Sequence, residues 1–213
     1  MAKQFKDHTD MTADRQVEKE LTIILDPGHG ENTAGKRSPD GRHREYRWAR
    51  DRARELADEL NRRGYDVHYT NPHEEDMSNT NRVHAANSIP GKYKLMISIH
   101  NNAAGWGDKW LNATGYGVYT TRGQTRSDEF AEILLDSFIA DFPELFGRFD
   151  KVDGDKDKEA DFTVLTGKSY WAVLIEWMFQ DSKKDLAIIE NPDYNRRYIN
   201  AIVDAVEVFN VTL

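Results

Sequence analysis

The sequence predicts a three-layer α/β sandwich: a twisted, mixed but mostly parallel sheet with helices on both faces. Two observations carry this. Short apolar runs of strand length alternate with stretches whose apolar residues recur at helical spacing, and several of the apolar runs end abruptly in turns rich in polar groups. Open α/β sheets present their ligands at such strand ends.

The first strand is Leu21–Leu25 (LTIIL), followed at once by Asp26-Pro27-Gly28-His29-Gly30. Arg44–Arg63 then places Trp48, Ala49, Ala53, Leu56, Ala57 and Leu60 along one helical face, with Gly64 as a C-terminal stop. Tyr65–Thr70 alternates as a strand, and Asn79–Asn87 reads as a short helix. Leu95–His100 (LMISIH) is a second buried strand and ends in His100-Asn101-Asn102. Tyr116–Thr121 is a further strand, Ser127–Phe142 an amphipathic helix, Ala172–Glu176 (AVLIE) another buried strand, and Asn195–Phe209 a closing helix. The charged run 150–161 (DKVDGDKDKEAD) is expected to be a flexible, solvated loop.

A chain of 213 residues suits one domain, here residues 21–213, preceded by a polar arm over residues 1–20. It contains no cysteine, which removes thiolate metal sites, disulfides and cysteine nucleophiles together and leaves His, Asp and Glu to hold any metal. A formal net charge of −8 argues against nucleic acid as a partner. No apolar run approaches the roughly 20 residues of a membrane span, and the first residues show no apolar signal core. No Gly-rich nucleotide-binding fingerprint follows a strand.

His29, His100 and Glu176 each sit at the carboxyl end of a different apolar strand. Core packing gives no reason for that convergence; a shared site does. Glu45 opens the long helix after the first strand. Two histidines and one carboxylate with an open fourth position form a catalytic zinc set, binding one Zn2+ ion. Glu31 is the alternative carboxylate, and His43, two residues before Glu45, is a further histidine within reach. Glu176 then remains to move a proton between the attacking water and the leaving group.

The ordered segments ILDPGHG, REYRWARDRARELADELNRRGYDV, NRVHAAN, LMISIHNNA and AVLIEWMFQDSKKD resemble the zinc-dependent N-acetylmuramoyl-L-alanine amidases, over nearly all of residues 21–210. The resemblance implies a sheet of about six strands, metal ligands at His29, Glu45 and His100, and Glu176 as the catalytic carboxylate. It implies peptidoglycan as the substrate, cut between N-acetylmuramic acid and L-alanine. GKRSPDG and EWMFQDSKKD resemble the subgroup of phage endolysins and Bacteroidetes-type bacteria. Many family members have Gly where this chain has Met178, and Ala or Asp where it has Asn101. Those differences bear on peptide preference. The charged run 150–161 is too short and polar for the inserted helix that blocks the site in some relatives.

Substrate contacts are expected from Asn101, Asn102 and Arg37, with Lys36 beside them and Trp106 and Trp110 as candidates for stacking on a sugar or for local packing. Action at the cell wall follows, by an enzyme that is exported or released from the cytoplasm. Two other readings use the same residues: a zinc carboxypeptidase or deacylase acting on a different amide, and a non-catalytic wall-binding module that keeps the fold.

Overall fold

The computed structural model describes residues 19–152 and 154–213. Residues 1–18, most of the expected N-terminal arm, lie outside the described residues. The elements run β1 (Leu21–Pro27), α1 (Glu45–Arg62), β2 (Asp66–Tyr69), α2 (Asn79–Ser88), β3 (Tyr93–Asn102), β4 (Gly117–Thr120), α3 (Arg126–Asp141), β5 (Lys158–Glu159), a 3₁₀ turn (Thr163–Thr166), β6 (Trp171–Phe179), α4 (Lys183–Ile189) and α5 (Pro192–Asn210). The six strands form one sheet in the order β2-β1-β3-β6-β4-β5. β2, β1, β3 and β6 pair in parallel; β4 runs antiparallel to β6, and β5 runs parallel to β4. No helix among the described residues is long and apolar enough to cross a membrane.

The strands that sequence analysis reads as fully apolar occupy the middle of the sheet, where both faces are covered. Alternation along them sorts two unequal layers. Leu21, Ile23, Leu25, Leu95, Ile97, Ile99, Val173 and Ile175 pack with Trp48, Leu56, Leu134, Phe138, Tyr198 and Ile202 of α1, α3 and α5 in the larger core. Ile24, Met96, Ala172 and Leu174 point the other way, onto Ala86 of α2 and Val164 and Leu165 of the 3₁₀ turn. That second layer is thin, and it is the face on which the site opens.

α1 stops where its sequence says it should: Gly64 takes φ +86°, the left-handed region a side chain resists. α3 begins with a capping box, the Thr125 hydroxyl accepting from Ser127 N while Asp128 accepts from Thr125 N. Two elements were not expected. α4 has only seven residues, too few for a periodic signal, and β5 has two, within the charged run. That run is not uniformly solvated. Asp157 is 1% exposed, Lys156 pairs with Glu132 and Asp136 of α3, and β5 pairs with β4.

Candidate active site

β3 and β6 fix half of the site through their register. In the parallel pairing His100 stands beside Glu176. Both continue the alternation that sends Met96, Ala172 and Leu174 to the thin side, so both side chains emerge there, at the carboxyl edge. β1, the other neighbour of β3, ends in the turn that carries His29.

The glycines of that turn explain its composition. A Cβ on Gly28 would fall 2.4 Å from His100 Cε1, so only glycine admits the imidazole. His29 itself holds φ +58°, unusual for a residue with a side chain. Two buried arginines hold the turn in place. Arg50 Nη2 and Arg82 Nη2 each donate to the His29 carbonyl at 3.0 Å, and Arg82 Nη1 also donates to Pro27 O at 2.7 Å and Asp26 Oδ1 at 2.9 Å. Asp26 is 1% exposed and accepts further hydrogen bonds from Ser98 and Thr70. Burial alone would raise its pKa, but Arg82 and the two hydroxyls hold it below the ordinary carboxylate range.

Glu45 is fully buried at the first position of α1. Its Oε1 lies 3.3 Å from His29 Nε2 and 3.1 Å from His100 Nδ1, and accepts from Asn101 N at 3.1 Å. Its Oε2 accepts from Gln180 Nε2 at 2.7 Å. One ligand atom from each of His29, Glu45 and His100 lies within 4.8 Å of the others. Burial would push Glu45 up, but the two imidazoles hold it well below the usual range. Burial lowers His29, whereas for His100 the Glu45 carboxylate outweighs burial and raises it. Three donors, two imidazole nitrogens and one carboxylate oxygen, suit zinc in number and kind.

Glu176 Oε2 is inaccessible to solvent and has no hydrogen-bond partner among the described residues. Burial pushes the Glu176 carboxyl up to about 7. The group faces a cleft of about 320 Å³ that His29, His100, Lys36, Asp161 and Phe162 also line. Lys36 lowers the Glu176 pKa by its charge, against the effect of burial.

The remaining expectations fare differently. Asn101 is 3% exposed, and both ends of its amide are used internally: Oδ1 meets His43 Nε2 at 2.9 Å and Nδ2 donates to Trp177 O at 2.8 Å. Asn101 thus lies on the face of β3 opposite His100, as neighbours on a strand do, and its amide positions His43 and the end of β6. His43 is buried in the same contact, outside the His29–Glu45–His100 cluster. Asn102 Oδ1 accepts from Ala103 N, closing the turn after β3. Arg37 is exposed and does not line the cleft; Lys36 does. Glu31 is exposed and lies outside the cluster. Trp106 is 90% exposed, whereas Trp110 packs at the edge of the larger core beneath Lys183. Arg50, Arg82, Asp26 and Gln180 were not singled out from the sequence, although Asp26 and Arg82 lie inside the DPGHG and NRVHAAN segments.

The family described as N-acetylmuramoyl-L-alanine amidase matches residues 23–208. Among solved structures, the N-acetylmuramoyl-L-alanine amidase from Clostridium difficile 630 is similar at a TM-score of 0.77 and 25% identity, covering 90% of this chain and 97% of that one. The CwlD amidase from Clostridioides difficile, solved in complex with the GerS lipoprotein, gives a TM-score of 0.75 at 20% identity, covering 90% of this chain and 99% of that one. Ami1 from Mycobacterium smegmatis gives 0.75 at 18% identity, covering 91% and 98%. The last two likenesses establish the fold alone. A comparison with curated protein sequences finds no match.

Proposed function

The chain belongs to the N-acetylmuramoyl-L-alanine amidase family, and we propose that residues 21–213 form a single catalytic domain that hydrolyses peptidoglycan at the amide between N-acetylmuramic acid and L-alanine. The observation that carries this reading is the meeting of two imidazoles and one buried carboxylate beside a second carboxylate with an unpartnered oxygen. His29 Nε2, His100 Nδ1 and Glu45 would hold one zinc ion. When bound, zinc supplies a polarised carbonyl and a water made acidic enough to attack at neutral pH.

The chain's own groups supply the remainder. Glu45, fixed by Gln180 Nε2 and Asn101 N, stays ionised and keeps both imidazoles turned inward. Asn101 orients His43 and the end of β6, and Arg50 and Arg82 hold the His29 backbone. Glu176 accepts a proton from the attacking water and returns it to the nitrogen of the departing L-alanine. A carboxyl raised toward about 7 is suited to both halves of that exchange. Lys36 presents a cation to the cleft, where it would meet acidic groups of the stem peptide. Arg37 and Asn102 are further candidates for contact with the peptide or glycan. Such an enzyme acts at the cell wall, and GKRSPDG with EWMFQDSKKD supports an origin in the phage endolysin and Bacteroidetes-type subgroup.

The test is digestion of purified peptidoglycan with end-group analysis. Wild-type protein is expected to release stem peptides with free L-alanine amino groups and leave glycan strands intact. Glu176→Gln is expected to retain zinc and lose activity by about 10²–10⁴-fold, the usual contribution of a positioned general acid–base. Release of a single C-terminal amino acid would redirect the reading to a carboxypeptidase, and full activity of Glu176→Gln would remove Glu176 from the reaction.

A further inference from the structure

A second group of acids lies apart from the cleft, where the end of β4, the first turn of α3 and the segment entering β5 meet. One carboxylate oxygen from each of Asp128, Asp155 and Asp157 lies within 4.8 Å of the others. We infer that these three carboxylates, with the Thr120 hydroxyl among them, form a binding site for a hard divalent cation, calcium by its ligand chemistry.

The protein's own donors do not satisfy the cluster. Thr120 Oγ1 lies 2.6 Å from Asp157 Oδ2, 3.2 Å from Asp128 Oδ1 and 3.3 Å from Thr121 O, yet a hydroxyl has one proton to give. Thr125 N and Oγ1 both serve Asp128 Oδ2, and Gln124 Nε2 serves Asp155 Oδ2. The nearest lysine in sequence, Lys156, is turned to Glu132 and Asp136. Asp157 Oδ1 and Asp155 Oδ1 are left buried with no partner among the described residues, and Asp157 is only 1% exposed.

An unpartnered carboxylate oxygen in a buried setting is costly, and three acids this close cannot all remain charged without a counter-charge. Two remedies exist: a shared proton or a bound cation. Burial, with Asp155, Asp128 and Glu132 nearby, pushes Asp157 up to about 7, so near neutral pH the proton is only loosely held and a cation displaces it readily. The donors are all oxygen, three carboxylates and a hydroxyl, with no histidine or cysteine. That set suits calcium over zinc, and a cluster drawn from loop and helix tolerates calcium's irregular coordination better than magnesium's strict octahedron. Past β5 the same segment reaches Asp161 and Phe162, which line the catalytic cleft. The cation would thus pin the charged run against α3 and steady one wall of that cleft.

Equilibrium dialysis against calcium, using the full chain freed of bound metal by a chelating resin, tests the site. The expected result is one calcium per chain with a raised melting temperature, unchanged in His29→Ala and lost in both Asp157→Asn and Asp155→Asn. Survival in His29→Ala keeps the outcome independent of the catalytic reading. Asp155 is partly exposed, so Asp155→Asn serves if Asp157→Asn fails to fold. No calcium bound at millimolar free ion, binding that persists in the folded Asn variants, or preference for magnesium would overturn the assignment.

Discussion

Replacing Arg82 with Met probes the brace behind the catalytic turn. The Arg82 side chain is 3% exposed and donates to Asp26 Oδ1, Pro27 O, His29 O, Asp76 Oδ1 and Met77 O. Methionine replaces much of the aliphatic stem but none of the donors. The His29 carbonyl keeps Arg50, and Asp76 is partly exposed and can turn to water, so their losses are small. Asp26 has no such recourse: it is 1% exposed and retains only the Ser98 and Thr70 hydroxyls. Stranding one member of a buried ion pair costs about 3–5 kcal/mol, a large part of a total stability of about 5–15 kcal/mol. Urea unfolding followed by tryptophan fluorescence should show a lower midpoint at unchanged slope. Asp26→Asn added to Arg82→Met should recover part of the loss, because the stranded charge is gone. A destabilisation below about 1 kcal/mol would show that the hydroxyls alone carry Asp26 and that the ion pair is not what holds the turn.

Three further outcomes follow from the same contacts. Gly28→Ala should leave the fold intact but displace the His100 ring, which would face a Cβ at 2.4 Å; metal retention and amidase activity should fall together, and wild-type zinc content would contradict this. Asp157 has a folded-state pKa near 7 against 3.8 for the free group, so the folded protein holds the extra proton between those values. Its contribution to stability is therefore present below about 4 and lost as pH rises through about 7, by up to a few kcal/mol. In chelator, the stability difference between wild type and Asp157→Asn should change over that window, and calcium should reduce the loss; a flat difference would refute it. Asn101→Ala should weaken zinc retention more than KM, since its amide holds His43 and Trp177 O; a change confined to KM would return Asn101 to the substrate.

What could be read from the sequence was the part that depends on local pattern. Apolar runs with abrupt polar ends placed β1, β3 and β6, and the helical spacing after Glu45 placed α1 to within a residue or two. His29, Glu45, His100 and Glu176 were proposed together because three strands ended in ionisable groups, and the structure brings the first three within 4.8 Å. The alternation of strand side chains already separates Asn101 from His100, since neighbours on a strand face opposite ways. The choice of Lys36 over Arg37 turns on a hairpin-like bridge, Arg37 to Arg44, that no periodicity announces. Asp26, Arg50 and Arg82 escape sequence analysis because a buried charged residue reads in sequence like a surface one; only tertiary contact separates them. β5 is stabilised by β4 beside it and not by its own residues, Lys158 and Glu159. Met178 has φ +55° where β6 leaves register with β3, a backbone state that favours glycine and that residue periodicity does not announce.

The central claim is that His29, Glu45 and His100 share one zinc ion. Crystals of the full chain grown with zinc, measured on both sides of the zinc absorption edge, test it directly. The account predicts a single strong anomalous peak within bonding distance of His29 Nε2, His100 Nδ1 and a Glu45 oxygen, about 2.0–2.2 Å from each. A peak elsewhere, or none there with the three side chains ordered and hydrogen-bonded only to one another, would contradict it.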